Sequence, residues 1–260
     1  MRQVGDGAVG LLGVLGGMGP LATADFLAKL VHETPALCDQ DHIPCLIMND
    51  PRIPDRSDAI LNRVGARSPL PAMLGLIQRL TDAGVSAIAI PCNTAHFWEP
   101  GLRVHSPVPV ISLVDAVLHD TAAAVAALAR VGRSPVAVGL LGTVGTIHAG
   151  MFQRRLTERG MTALTPDDGE MADWVMPGIR AVKRGDVDRG KTLLMQAAAR
   201  LVARGAAILV LACTEIPVVI KAGDWPEATV VDSTAALARA CVRYFRAVDT
   251  AERRSRAAAG

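Results

Sequence analysis

Short apolar runs alternate with amphipathic segments along most of the chain. The apolar runs predict seven strands, at residues 8–15, 43–48, 87–91, 108–111, 136–141, 208–212 and 229–231. The helical spacing of apolar positions between them predicts helices at 21–32, 70–83, 114–129, 148–158, 171–184, 189–204 and 235–248. Buried strands separated by helices are typical of parallel βαβ units, so the pattern predicts an α/β fold. The tail at 249–260 lacks an apolar period and is expected to fray.

The chain also contains an internal repeat. Residues 8–13 recur letter for letter at 137–142. A second set of matches shares a displacement of 121 positions, and its pairs are Arg79 and Arg200, Leu80 and Leu201, Gly84 and Gly205, Cys92 and Cys213, and Ser112 and Ser233. Such matches in one order indicate a duplication. We therefore expect two similar lobes across a cleft. One lobe comprises 1–114 plus 222–260, with the C-terminal helix packing back, and the other comprises 115–221.

Composition narrows the class of protein. Half of the 260 residues are apolar, which excludes disorder for most of the chain. The 27 basic and 25 acidic side chains leave a net charge of +2, with no electrostatic footprint for nucleic acid or an anionic membrane. No apolar stretch approaches the ~18 residues of a membrane span, and no secretory signal is evident. Five cysteines, an odd number, favour free thiols in a soluble cytoplasmic protein.

Two of these cysteines occupy equivalent places in the repeat. Cys92 follows the predicted strand 87–91, and Cys213 follows the predicted strand 208–212. Ligands bind at the carboxyl ends of parallel strands in such folds. Backbone N–H groups and a helix dipole at that point favour an anion and are expected to lower the pKa of a thiol. The remaining cysteines are interpreted as ordinary packing residues, and these are Cys38, Cys45 and Cys241.

Two opposed thiols suit proton exchange at a carbon acid. One thiolate can remove a proton from one face of the carbon while the other thiol returns a proton to the opposite face, which inverts the stereocentre. Polar side chains can bind the substrate carboxylate and the charge that develops on it, and the candidates are Asn93, Thr94, Thr143 and Thr214. The cysteine pair therefore predicts an enzyme that inverts a carbon centre.

Five motifs carry a resemblance to a known family: GGMGP at 16–20, IPDR at 53–56, PCNTAH at 91–96, LGT at 141–143 and CTEIP at 213–217. The sequence resembles the cofactor-independent aspartate/glutamate racemase superfamily, and most closely its aspartate racemase branch. The motifs extend over nearly the whole chain. Glu215 stands where glutamate racemases usually carry His, which argues against a glutamate racemase of cell-wall synthesis.

The resemblance implies a fold, a chemistry and a set of residues. The fold would be two flavodoxin-like lobes with parallel sheets, related by a pseudo-twofold axis, with the active site in the cleft and usually a homodimer. The substrate would be a small acidic amino acid, aspartate first and glutamate as a further possibility, with neither pyridoxal phosphate nor metal. Cys92 and Cys213 match the proton donor and acceptor. The implied substrate-binding residues are Met18, Arg56, Asn93, Thr94, Ala95, Thr143, Lys183, Thr214 and Glu215, with Arg56 and Lys183 holding the substrate's negative charges.

Other functions stay open at this point. Residues 17–22 fit the dinucleotide fingerprint G-x-G-x-x-G/A, but the acid expected at the end of the next strand is misplaced, because Asp39 and Asp41 precede that strand and Asp50 follows it. A nicotinamide enzyme is thus a weaker alternative. An isomerase or decarboxylase of a small dicarboxylate, and a catalytically silent metabolite-binding protein, are the other two.

A zinc site is not predicted. Cys38, His42 and Cys45 lie close together in sequence, but tetrahedral structural zinc requires a fourth ligand, and the sequence offers none nearby.

Overall fold

The chain folds into two parallel sheets with helices around them. The computed structural model describes residues 10–133 and 136–259, so residues 8 and 9 of the first predicted strand and Gly260 of the tail lie outside the described residues. The first sheet has the order β2-β1-β3-β4, and its strands are β1 (Leu12–Gly16), β2 (Cys45–Asn49), β3 (Ala87–Ala89) and β4 (Val110–Ile111). All five residues of β1 are buried, as an apolar central strand requires.

The second sheet repeats this arrangement. Its order is β6-β5-β7-β8, and its strands are β5 (Ala137–Gly142), β6 (Thr162–Leu164), β7 (Ala206–Ala212) and β8 (Thr229–Asp232). The two equal strand orders confirm the predicted α/β class with two similar lobes. Strand β6 is missing from the sequence prediction, because it is a three-residue edge strand with no fully buried residue and therefore no apolar run.

Helices of very different length connect the strands. In chain order they are α1 (Pro20–Glu33), α2 (Arg56–Ile60), α3 (Leu70–Asp82), α4 (Glu99–His105), α5 (Leu113–Arg130), α6 (Val144–Ala149), α7 (Met151–Thr157), α8 (Asp168–Glu170), α9 (Met176–Lys183), α10 (Val187–Ala203), α11 (Ile216–Val219) and α12 (Ser233–Ala259). A π-helical turn, Met171–Val175, precedes α9. Within the described ranges, no helix is long and apolar enough to cross a membrane.

The strand register corrects one part of the internal repeat. Leu12 pairs with Ala87, and Val138 pairs with Ile208, which lies 121 positions after Ala87, the displacement that also relates the two cysteines. Leu12 therefore corresponds to Val138, whereas the six-letter identity aligns Leu12 with Leu141. The identical letters are three residues out of structural register, because a run of small and apolar residues fits a buried strand equally well at several offsets.

The last strand, β8, lies in the second lobe, whereas the last helix, α12, packs on the first lobe. Strand β8 pairs with β7, so the expected placement of residues 229–232 in the amino-terminal lobe is wrong. The sequence of a short apolar strand does not indicate which of two similar sheets it pairs with. Helix α12 packs against α1 of the first lobe, whereas α5, which follows β4 of the first sheet, packs against β7 and β8.

The carboxyl-terminal segment also differs from its prediction. Residues 249–260 are expected to fray, but α12 continues to Ala259. Alanine and arginine dominate this segment, and both have high intrinsic helix propensity, so a helix forms there without an apolar period.

Candidate active site

Both candidate cysteines open into one cavity between the lobes. Cys92 follows β3, Cys213 follows β7, and both cysteines line the cavity. Ten of the eleven residues implied by the resemblance line it, and these are Met18, Arg56, Cys92, Asn93, Thr94, Thr143, Lys183, Cys213, Thr214 and Glu215. Ala95 is fully buried in the core of the first lobe instead. Asp55 and Ser57, which the sequence reasoning missed, also line the cavity and flank Arg56 in the chain.

The side chain of Asn93, the residue after Cys92, forms a long-range contact and does not cap the helix that follows. A 3-10 helix, Thr94–Trp98, follows Cys92, but the Asn93 side chain does not cap it. Asn93 Nδ2 instead donates a hydrogen bond of 2.9 Å to Ser233 Oγ at the start of α12. Asn93 Oδ1 is buried and, among the residues described, meets no hydrogen-bond donor. A buried acceptor in this state is a candidate partner for a donor on a ligand.

Three threonine hydroxyls link the lobes at the cavity wall. Thr94 Oγ1 lies 3.0 Å from Thr143 Oγ1 and 2.8 Å from Thr146 Oγ1, and the last two hydroxyls are 3.0 Å apart. Thr143 also caps α6 by accepting from the Thr146 backbone N–H. Thr146 is fully buried and was missed, because a threonine inside a short helix carries no sequence signal that separates it from packing. The three contacts use the three hydroxyl protons, so a hydroxyl can donate to an anion in the cavity only by giving up one contact within the cluster.

Cys213 forms a buried contact with a carboxylate. Its Sγ donates to Glu215 Oε2 at 3.1 Å, while Glu215 Oε1 accepts from the Gly19 backbone N–H at 3.1 Å and lies 3.7 Å from Lys183 Nζ. Cys213 and Glu215 are each 3% exposed. The Glu215 carboxylate thus lies between the Cys213 thiol and the Lys183 ammonium group at one side of the cavity, with one oxygen near each.

The pKa of the Cys213 thiol is shifted in the direction opposite to the one expected from the sequence. Burial, reinforced by the negative charge of Glu215, raises the pKa of the Cys213 thiol well above its ordinary value. The predicted lowering of the pKa is wrong for Cys213, because burial first and the acidic neighbour second act against ionisation, and α11 has only four residues. For Lys183, burial disfavours the ammonium form, but attraction by Glu215 and the two cysteines prevails and raises the pKa of Lys183.

Arg56 is held rigidly at the start of α2. Its Nη1 donates to the carbonyl oxygens of Ile53 at 3.2 Å and Pro54 at 3.0 Å. The preceding residue, Asp55, caps the helix by accepting from the Asp58 N–H. Arg56 Nε is buried and, in the part of the chain that the structure covers, has no acceptor. A fixed guanidinium with an unused donor beside a cavity suits an anionic ligand.

An outer chamber of about 320 Å³ adjoins the cavity. The two share Asp55, Arg56, Lys183 and Glu215, and the outer chamber has an apolar wall formed by Pro20, Leu21, Pro51 and Ile53. The shared residues thus connect the wall of the outer chamber with that of the cysteine cavity.

The glycine-rich turn beside this chamber binds groups of the protein itself. The Gly17 N–H donates to Thr23 Oγ1 at 3.0 Å, and the Gly19 N–H donates to Glu215. Gly17 has φ 97°, and a Cβ there would lie 2.4 Å from the Asp50 backbone, so glycine is required. The turn thus binds a carboxylate at the start of α1, and its donors are occupied without a pyrophosphate.

His96 fixes the backbone of Cys92. The Leu113 N–H donates to His96 Nε2 at 3.0 Å, so Nδ1 carries the proton and donates to the Cys92 carbonyl at 2.8 Å. Burial lowers the pKa of His96 and keeps it neutral. His96 therefore supports Cys92 through its main chain rather than through its thiol.

The other cysteines lie away from this cavity. Cys241 is buried in the core and Cys45 is half-buried on β2, whereas Cys38 is exposed, so its interpretation as a buried packing residue is wrong. Among the residues described, no three His, Cys, Asp or Glu side chains form a group that could hold a metal ion, the set Cys38, His42 and Cys45 included.

Comparison with known proteins gives consistent matches. The model of the family described as Asp/Glu/Hydantoin racemase matches residues 15–241. The Picrophilus torridus aspartate racemase structure superimposes with a TM-score of 0.77 at 30% identity, covering 91% of this chain and 94% of that one. The broad specificity amino-acid racemase RacX of Bacillus subtilis (strain 168) is 26% identical over 241 residues, 91% of this chain and 99% of RacX. Glutamate racemase isoform RacE1 from Bacillus anthracis shares the fold, with a TM-score of 0.65 at 19% identity over 91% of this chain and 82% of that one.

Proposed function

Because the chain belongs to the Asp/Glu/hydantoin racemase family, we propose that it racemises an acidic amino acid by proton transfer between Cys92 and Cys213. Aspartate is the first substrate and glutamate the second, and no cofactor takes part. One observation carries the proposal: two thiols at equivalent strand ends open into the same cavity between the lobes. The enzyme is an isomerase, as its racemase relatives are.

The cavity supplies what α-proton removal needs. A thiolate on one side takes the proton from Cα, the electron pair spreads into the α-carboxylate, and the thiol on the other side donates a proton to the opposite face. The charge on the carboxylate rises during this step, so fixed donors stabilise the transition state more than the ground state. The Arg56 Nε–H can act in this way, and the hydroxyl of Thr94 or Thr143 can do so by exchanging its contact within the threonine cluster for the carboxylate.

An amino acid can form hydrogen bonds with the buried polar atoms at the cavity that have no partner among the residues described. Arg56 Nε offers a donor to a carboxylate, and Asn93 Oδ1 offers an acceptor to the α-ammonium group. Lys183 reaches the cavity at its mouth with a side chain that is 35% exposed, and it adds positive charge for a second carboxylate. An acidic amino acid satisfies all three groups, and leaving them unpaired would cost free energy.

The outer chamber favours a second candidate, an amino-acid racemase of broad specificity. Its apolar wall at Pro20, Leu21, Pro51 and Ile53 can accept side chains longer than that of aspartate. RacX, a relative named for broad specificity, matches nearly the whole chain. Since the α-carboxylate and α-ammonium contacts are common to all amino acids, only the side-chain contacts separate the two candidates.

A panel of enantiopure amino acids tests both candidates. Each amino acid is incubated with the protein and no added cofactor, and loss of optical activity is followed by circular dichroism. We expect aspartate to racemise fastest. If no amino acid racemises, the proposal is wrong, and a rise in melting temperature with aspartate would then indicate a binding protein without catalysis. Faster racemisation of neutral amino acids would establish the broad-specificity candidate.

We also propose that the chain acts as a cytoplasmic homodimer, as its resemblance to racemases implies. Sedimentation velocity tests the assembly: the expected species has twice the 27.2 kDa of one chain. A species of one chain mass at assay concentration would contradict it.

A further inference from the structure

Glu215 faces the Cys213 thiol rather than open substrate space. Its Oε2 accepts from Cys213 Sγ at 3.1 Å, and its Oε1 accepts from the Gly19 N–H at 3.1 Å. Both carboxylate oxygens are therefore engaged by the protein. The substrate-binding role implied by the resemblance would require Glu215 to exchange one of these contacts for the substrate.

The surroundings of Glu215 stabilise a negative charge. Its Oε1 lies at the first turn of α1, a helix of 14 residues, where the Gly19 N–H and the helix dipole favour an anion. Lys183 Nζ lies 3.7 Å from the same oxygen. Gly19 permits the approach, because a Cβ at that position would lie 2.9 Å from Oε1. The fold thus places a carboxylate, 3% exposed, beside one thiol of the pair.

We propose that Glu215 is a positioning residue that holds Cys213 as a thiol, so that in the resting enzyme Cys213 is the proton donor and Cys92 the acceptor. The inference rests on the proposed two-cysteine function. The Cys92 thiolate takes the α-proton and becomes a thiol, the electron pair stays on the substrate, and Cys213 gives its proton to the opposite face and becomes a thiolate. The reverse reaction uses the swapped pair of protonation states.

The other charged groups around Cys213 do not account for this asymmetry. Lys183 and Arg56 are cations, and Lys183 favours the thiolate of Cys213. Asp55 and Cys92 line the same cavity, but among the residues described neither forms a hydrogen bond with Cys213 Sγ. Glu215 is the acid in direct contact with the thiol, and a like charge at contact distance opposes ionisation.

A pH profile reports this role. In a two-base racemase, kcat/KM rises as the acceptor thiol ionises and falls as the donor thiol ionises. With Cys213 as the donor, the alkaline limb belongs to Cys213, as an apparent value of the coupled pair. The Glu215→Gln substitution keeps the shape and removes the charge, so the alkaline limb should move to lower pH by about one unit, a tenfold change in proton concentration.

The matched control is Glu227→Gln, the same chemical change at an exposed position. This control should leave both limbs in place. In every variant the ratio of kcat/KM between the enantiomers must stay at one, because the equilibrium constant of a racemisation is one. An alkaline limb that stays in place or moves to higher pH in Glu215→Gln would overturn the inference.

A measurement without substrate separates this inference from the proposed function. Alkylation of Cys213 by iodoacetamide is followed over pH by peptide mass spectrometry. In the wild-type protein the midpoint should lie above the ~8.5 of a free cysteine, and in Glu215→Gln it should fall by about one unit. Glu215→Asp, which keeps the charge, should retain a raised midpoint.

A wild-type midpoint at or below that of free cysteine would refute the role of Glu215, even if Glu215→Gln fails to fold. Wild-type protein that racemises amino acids but shows this low midpoint would leave the function intact and the inference wrong. If the midpoint is raised but the protein racemises no amino acid, the proposed function is wrong, while the effect of Glu215 on the Cys213 thiol stands.

Discussion

At the scale of residues, the site depends on a few side chains whose donors are fixed before a substrate arrives. Arg56 is 8% exposed and anchored to two backbone carbonyls, and its buried Nε–H has no acceptor among the residues described. Preorganised donors of this kind bind a carboxylate at a small entropic cost. The geometry of the guanidinium, and not merely its charge, should therefore determine binding.

Arg56→Lys tests the importance of that geometry. Lysine keeps the charge but loses the planar set of donors, so we expect KM for the preferred amino acid to rise about tenfold or more, with a smaller change in kcat. Steady-state kinetics measures both. The matched control is Arg52→Lys, at an exposed arginine paired with Asp50, and it should leave KM unchanged. Equal KM values in the two variants would remove Arg56 from the binding site.

Residues that repeat or belong to a specific motif are predictable from the sequence, whereas residues that act through a contact between distant segments are not. Cys92 and Cys213 are visible because they repeat after two strands. Ser233 is visible in the repeat, but its bond to Asn93 joins positions 140 residues apart and follows from packing alone. The contact between Glu215 and Gly19 is likewise invisible in the sequence, although both residues lie in recognised motifs.

At the scale of elements, the turn between β1 and α1 positions one wall of the cavity. Gly17 lies there at φ 97°, and its missing side chain leaves room for the Asp50 backbone. The next helix then begins with the N–H that binds Glu215. The apolar pattern predicts β1 and α1 but contains no information on this contact, since it involves main-chain atoms.

Gly17→Ala should destabilise the protein more than Gly84→Ala. Both glycines have positive φ, which costs an alanine about 1–2 kcal/mol. A Cβ at Gly17 would also overlap the Asp50 backbone at 2.4 Å, whereas a Cβ at Gly84 meets nothing within 4 Å. We expect Gly17→Ala to lose a further ~1–3 kcal/mol of unfolding free energy in urea titrations. Equal losses would show that the turn relaxes without cost.

Element ends and edges are where the sequence prediction is weakest. Central strands such as β7, buried along their full length, give an unmistakable apolar run. The short edge strand β6 gives none, and residues 249–259 continue α12 with a sequence of high helix propensity that has no apolar period. Both differences arise because hydrophobic periodicity detects only segments whose apolar residues recur at a regular spacing.

At the scale of the whole molecule, two exchanged helices join the lobes. Helix α5 follows the first sheet and packs on the second, while α12 follows the second sheet and packs against α1. One core cluster contains Leu12 and Phe26 of the first lobe together with Val138 and Phe152 of the second. The expected lobe bounds already assign the C-terminal helix to the first lobe and residues 115–130 to the second, but the repeat by itself contains no information on this exchange, because either packing buries the same apolar faces.

The shared core predicts one cooperative unfolding transition. Neither lobe can lose its helices without exposing the core of the other, so no half-folded intermediate should accumulate. Trp98 reports on the first lobe and Trp174 and Trp225 on the second. Urea unfolding followed by fluorescence of Trp98→Phe, and of the double variant Trp174→Phe/Trp225→Phe, should give coincident curves after correction for stability. Separate transitions for the two lobes would contradict the shared core.

If two cysteines act on opposite faces of one carbon, solvent deuterium should appear in only one of the two enantiomers at early times. L-Aspartate, or whichever amino acid proves the best substrate, is incubated with the protein in deuterated water, and the enantiomers are separated at low conversion. Two bases put deuterium at the α-carbon of the product enantiomer and leave the recovered substrate protiated. Cys92→Ser and Cys213→Ser should each slow this by more than about 100-fold, and Cys241→Ser should not. Equal early labelling of both enantiomers, or full activity without either cysteine of the pair, would contradict the claim.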